Sequence, residues 1–331
     1  MLRSPRVARD PTRFRDEFAG AWPLNPIEFT CPVCGGALAP DATQTLLGCP
    51  AGAHRFPVAN GLPILLPDAA DADATQQAFA RQWELQSAGT YETDTIYGET
   101  AEAELQSFLD RFGIRSPSEL AGRRILDVGC GSGRLTRNLA VWAPDAVVIG
   151  GDRSQSAHIA YRKCAGMPNV RVAQFDLYAP PFQPAVFDLI YADGVIPHVP
   201  DPERAVTALD RLLRPGGRMF VWIYPRRFSP YRLLRDALVR PHALPLPVQR
   251  GIEWGVGTLL WLAFKVWEPF RGSRRRSWRE VVFQIHDNLA PEFQHRRTPD
   301  EMAACFREMG YIDIRPSPPE TGITATKSVT S

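Results

Sequence analysis

The chain alternates two hydrophobic periods. Short apolar runs stand at Ile125–Val128, Ala146–Ile149, Val170–Phe175, Phe187–Ala192 and Gly217–Tyr224. Runs of four to eight apolar residues closed by Gly, Asp or Pro predict buried strands. Between them, Thr136–Trp142, Ser154–Gly166 and Asp201–Leu213 place apolar residues at helical spacing. Asp201-Pro202 predicts a helix start, an acid at the N-cap and proline at the first helical position. Strands alternating with helices imply a parallel sheet wound on both faces, with ligands at the carboxyl ends of the strands. Farther on, Thr298 and Glu301 form a capping box with Pro299 between them, so a helix runs to about Met309; Tyr311–Arg315 and Thr321–Thr326 close the sheet. Ahead of it, helices begin at Phe79-Ala-Arg-Gln-Trp83 and span Glu99–Phe112.

The first strand leads into Asp127-Val-Gly129-Cys130-Gly131-Ser-Gly133-Arg134. Glycines at alternate positions between a strand and a helix let backbone approach a ligand where a Cβ would collide. A dinucleotide loop of the G-x-G-x-x-G type would need its last glycine at Arg134, which disfavours NAD and FAD. The second strand ends in Asp152, about 20 residues past the loop, the distance of a ribose-binding carboxylate. Acids also close the third strand (Asp176) and the fourth (Asp193).

The Asp-x-Gly-x-Gly-x-Gly form resembles motif I of the class I S-adenosylmethionine (SAM) methyltransferases. The resemblance implies an α/β fold with a doubly wound, seven-stranded Rossmann-like sheet. It also implies SAM as cofactor: Gly129, Cys130, Gly131 and Gly133 under its methionine part, and Asp127 toward its ammonium. Asp152 and Arg153 then lie at the ribose, Asp176 and Leu177 at the adenine, and Ala192 at the end of strand four. "Phe-x-x-Gln-Trp" and Gly194-Val-Ile-Pro197-His198-Val-Pro-Asp201-Pro are similar to segments of bacterial type-11 methyltransferases, with Pro197 replacing the first histidine of a pair.

Methyl transfer needs alignment of donor and acceptor and, for some acceptors, removal of one proton. His198 is the candidate base, with packing or loop orientation as the open alternative. Asp193, Tyr224 and His286 are further catalytic candidates; Tyr224 is equally readable as half-buried packing, His286 and its neighbour Asp287 as loop-fixing residues.

Upstream, Cys31-Pro-Val-Cys34 is followed by Cys49 and His54. A Cys-x2-Cys knuckle and a Cys/His pair at ribbon spacing predict a tetrahedral zinc site filled entirely by protein, hence structural; the rival is a redox pair at Cys31 and Cys34, which lacks the surrounding strand–helix pattern. Together with Arg55-Phe-Pro-Val-Ala-Asn-Gly-Leu-Pro-Ile-Leu-Leu66, these residues resemble the Trm112-like zinc-ribbon family, whose second knuckle is commonly Cys-x2-Cys. The predicted organisation is an arm (1–25), a zinc ribbon (26–67), a linker with helices (68–118), the SAM-binding core (119–224), a helical insert or lid (225–290) and a closing helix with strands (291–331).

Within the insert, the run Trp254–Trp267 is apolar apart from Lys265, shorter than the roughly 20 residues of a membrane span. It predicts a helix hydrophobic on nearly every side, serving as a lid, a homodimer surface over 251–270, or a peripheral membrane contact. Arg271–Arg279 beside it is basic enough for phosphate, or simply solvated. The net charge of +2 gives no global pull toward nucleic acid. Six cysteines without a disulfide framework, and a Met1–Phe14 start lacking a signal-peptide core, point to the cytoplasm. The expected function is methylation of a small-molecule acceptor, biosynthetic or cell-envelope, lipophilic or sugar-linked. Two alternatives stand beside it: an RNA base methyltransferase of the zinc-ribbon guanine-N1 type, and a non-catalytic partner-binding protein.

Overall fold

The computed structural model describes residues 29–67, 74–87, 95–96, 99–226, 244–271, 277–289, 291–317 and 321–329. The predicted arm at 1–25, residues 68–73, 88–94 and 97–98 of the predicted linker with helices, and the centre of the basic run at 272–276 lie outside them. The strands are β1 (Ala39–Pro40), β2 (Leu46–Cys49), β3 (His54–Ala59), β4 (Leu62–Leu65), β5 (Thr95–Ile96), β6 (Glu99–Thr100), β7 (Arg124–Val128), β8 (Val147–Asp152), β9 (Val170–Phe175), β10 (Phe187–Ala192), β11 (Leu213–Trp222), β12 (Tyr311–Ser317) and β13 (Gly322–Lys327). The helices are α1 (Ala74–Ser87), α2 (Ala101–Phe112), α3 (Arg134–Trp142), α4 (Ser156–Lys163), α5 (Pro202–Leu212), α6 (Leu246–Arg271), α7 (Trp278–Leu289) and α8 (Pro299–Glu308).

Seven strands run in the order β9-β8-β7-β10-β11-β13-β12, with β13 antiparallel to both neighbours. The sheet reverses direction of growth at β7 and β10, so the carboxyl ends of β7 and β10 flank a crevice, the place where doubly wound sheets bind ligands. The expectation of seven strands needs correction: among the described residues the sheet has eleven. The four N-terminal strands extend its edge, because β4 pairs parallel with β9 at Ile64–Gln174 and Leu65–Phe175. The N-terminal module therefore shares backbone hydrogen bonds with the core.

Period-two alternation sorts the side chains. Ile125 of β7 packs with Phe108, Leu139 and Ala160 on the α2/α3/α4 face. Its neighbour Leu126 packs with Leu209, Phe306 and Phe187 on the α5/α8 face. Every residue of β10 is buried, as expected for a strand covered on both faces. The predicted caps form: Asp201 accepts from the Arg204 amide, and Thr298 and Glu301 complete their reciprocal box. Helix α2 is shorter than its predicted span, because Thr100 caps it and Glu99–Thr100 pairs with Thr95–Ile96. The apolar run at 254–267 lies within α6, which packs on α7 through Val256, Leu260 and Phe264 against Val281 and Ile285.

Candidate functional site

The loop after β7 is stitched to the end of β8. The amides of Gly129 and Cys130 donate to the Gly151 carbonyl at 2.7 and 3.0 Å, and the Gly131 amide donates to Asp152 Oδ2 at 3.0 Å. Gly131 has φ +51°, and a Cβ there would stand 2.7 Å from the Trp83 ring. No other residue tolerates both the conformation and the contact.

The acids at the strand ends differ in setting. Asp152 accepts from Ser154 N (2.8 Å) and Oγ (2.7 Å) through Oδ1; burial raises its pKa, opposed by these bonds. Asp127 is buried and accepts from Thr136 Oγ1 at 2.5 Å. Burial pushes its carboxyl up to about 7; the Thr136 bond works against this, and nearby Glu104, Asp193 and Asp152 add to it. Asp176 accepts from the Tyr178 amide at 2.9 Å and pairs with Arg153 Nε at 3.3 Å. Ser132 Oγ, buried in the glycine loop, has no partner among the described residues.

A cavity of about 630 Å³ opens above these elements. Gly129, Asp152, Arg153, Asp176 and Leu177 line it together with Asp193, His198 and Tyr224. Asp127, Cys130, Gly131, Gly133 and Ala192 are not among its lining residues; they stand near the carboxyl ends of β7 and β10 and in the loop after β7. His198 is buried in a short turn, Ile196–His198, with Nδ1 3.0 Å from the Phe293 carbonyl. The carbonyl can only accept, so Nδ1 carries the proton and Nε2 is the ring's acceptor. Phe79 and Tyr224 meet the imidazole edge-on at 5.0 and 5.4 Å.

Asp193 is not a free carboxylate. It pairs with Arg111 Nη1 at 2.5 Å and accepts from the Tyr191 hydroxyl at 2.7 Å, while the Arg111 guanidinium lies 4.2 Å over Phe220. His286 differs from its expected place in the acceptor pocket. It is buried between helices, Nδ1 2.9 Å from Glu253 Oε1, and does not line the cavity; Gln284 of the same helix does. The side chain of Asp287 lies outside the described residues.

The sequence reading did not assign Trp83, Phe79, Arg111, Trp222 and Gln284 to the site, yet all five line the cavity. The Phe79/Trp83 spacing, four apart on one helical face, is a signal that would have found two of them.

The N-terminal module gathers a second cluster. Cys31 Sγ is 3.4 Å from His54 Nδ1, Cys34 Sγ is 3.4 Å from Cys49 Sγ, and one ligand atom from each of the four lies within 4.8 Å of the others. Gly52 admits the imidazole, since a Cβ there would be 2.3 Å from His54 Cε1. Zinc–sulfur bonds of about 2.3 Å and zinc–nitrogen bonds of about 2.0 Å require ligand separations of roughly this size, so the donor set fits a tetrahedral ion.

With this geometry in view, comparison with known proteins is informative. Residues 126–221 match the family described as Methyltransferase domain. That segment, from β7 to β11, carries the similarity to methyltransferases. Among curated relatives, a ubiquinone biosynthesis O-methyltransferase of Methylococcus capsulatus is 34% identical over 141 residues, 42% of this chain and 57% of its own. A trans-aconitate 2-methyltransferase of Variovorax paradoxus is 34% identical over 125 residues, covering 37% and 48%. The chain thus spans about half the length of the curated relatives it matches. A solved SAM-dependent methyltransferase from Aquifex aeolicus aligns over 67% of this chain and 88% of its own, at 15% identity and a TM-score of 0.39.

Proposed function

We propose that this protein binds SAM in the described cavity and transfers its methyl group to a small-molecule acceptor. The observation that carries this reading is one cavity lined both by Asp152 and Asp176 and by His198 and Tyr224. The names of the curated relatives support a small acceptor.

When bound, SAM supplies a methyl group on a positively charged sulfur with its leaving group already in place. Asp152 is suited to the ribose hydroxyls, since Ser154 and Gly131 hold its two oxygens in place. Asp176 and the Leu177 amide suit the adenine edge. Trp83 and Phe79 roof the site and exclude water. His198 Nε2 takes a proton from the acceptor, and the Phe293 carbonyl stabilises the charge that the ring then carries. Asp193, engaged by Arg111 and Tyr191, fixes the cavity wall and does not serve as a base.

Label from methyl-tritiated SAM is expected in small molecules of a cell extract; label in the RNA fraction instead would contradict the proposed acceptor class. His198→Ala is expected to lower kcat by about 10²–10⁴-fold with SAM affinity unchanged, measured once an acceptor is in hand. An unchanged kcat would leave His198 a packing residue.

Asp127 gives a pH test. Its carboxyl, at about 7 in the ligand-free protein, must be ionised to pair with the SAM ammonium. Binding should therefore tighten as pH rises toward 7, by up to about tenfold per pH unit, and weaken again above about 8 as the SAM ammonium itself loses its proton. Calorimetry from pH 5.5 to 8.5 reads this; a flat profile would remove Asp127 from ammonium recognition.

We also infer that Cys31, Cys34, Cys49 and His54 hold a structural zinc ion. The supporting observation is the convergence of four donors with no position left for a substrate.

A further inference from the structure

We propose that the outer face of α6 docks on the surface of an anionic lipid bilayer. One face of this helix is accounted for. Val256, Leu260 and Phe264 pack on α7, and the buried Glu253–His286 contact joins the two helices. The opposite face is equally apolar but lies in water. Val248, Gly251, Gly255, Leu259, Leu262 and Val266 follow one another at spacings of three or four, so they form a single stripe. Leu259 is 70% exposed, Val266 63%, Leu262 50% and Val248 48%. The stripe runs for about 27 Å without a charged residue. Water-facing sides of helices ordinarily carry charges, so this one is built for an apolar medium.

Charge identifies that medium. Residues 225–279 carry twelve Arg and Lys against three Asp and Glu, +9 in a chain whose total is +2. One of the three acids, Glu253, is buried. Exposed Arg250 and Lys265 flank the stripe on the side where Trp254 stands 46% exposed. An apolar stripe edged by cations and tryptophan matches the interface of a bilayer with negative headgroups. A second copy docked through the same face would bring exposed Arg250 and Lys265 up against like charges, which Coulomb repulsion opposes. Nucleic acid would use the charges but leave the stripe in water. No described helix is long and apolar enough to cross a membrane, so α6 lies along the surface. Its partner α7 supplies Gln284 to the cavity wall.

Flotation of the full chain with phosphatidylcholine vesicles containing about 30 mol% phosphatidylglycerol tests the proposal. The protein should float with these vesicles, bind pure phosphatidylcholine about tenfold or more weakly, and be released as salt is raised. Leu259→Glu/Leu262→Glu should weaken binding at least about tenfold with the melting temperature unchanged, because both side chains are half exposed or more. Three results would overturn it: no binding to the anionic vesicles, equal binding by the double variant, or a wild-type dimer that the same substitutions dissolve. The assay needs no turnover, so its failure would leave the methyl-transfer reading standing.

Discussion

Asp152→Ala is expected to weaken SAM binding by about 10²–10⁴-fold. The carboxylate offers the ribose hydroxyls two charge-assisted hydrogen bonds, each worth about 1.5–3 kcal/mol. The substitution also removes the acceptor that holds the Gly131 amide and Ser154, so the glycine loop loses its tie to the end of β8. Asp152→Asn keeps an acceptor in place and should fall between wild type and Ala. Calorimetry on the three proteins separates these effects. Equal affinities would mean that the ribose lies elsewhere, and the assignment of the cavity would have to be redrawn.

The second large effect concerns the N-terminal cluster. Metal analysis is expected to find about one zinc per chain, lost in Cys31→Ser/Cys34→Ser. Structural zinc in small finger peptides binds with an apparent 10–16 kcal/mol, and that free energy is folding free energy. Here the consequence should be local. β2 and β3 pair with no strand of the sheet beyond β4 and meet the core only through side chains such as Leu47 and Phe56, so they can open while β7–β13 stay folded. Amide exchange at Leu46–Cys49 and His54–Ala59 should accelerate by several orders of magnitude in the variant. Protection in Leu62–Leu65 should fall less, because β9 still holds β4. Unchanged exchange in metal-free protein would mean that the four donors serve no zinc.

Much of the core was legible because its signals are local. The Asp127–Gly133 loop, the acids at Asp152 and Asp176 and the caps at Asp201 and Thr298 each sit within a few residues of the feature that reveals them. What was not legible depends on contacts between distant segments. The joining of Leu65 to Phe175 turns a predicted separate ribbon into the edge of one sheet, and no local pattern encodes strand neighbours. Arg111, eighty-two residues before Asp193, forms its ion pair only through the packing of α2 on the sheet. His286 reads in sequence as a polar residue near a loop, yet it lies within α7 and meets Glu253 across a helix interface. A buried histidine with an acid thirty-three residues upstream leaves no periodic mark.

Calorimetric titration of the purified chain with SAM and, separately, with NAD reaches the centre of the account. One SAM per chain, with no detectable NAD binding, is the expected result. Binding of NAD without SAM would contradict the reading of the Asp127–Gly133 loop, and the proposed methyl transfer would fall with it.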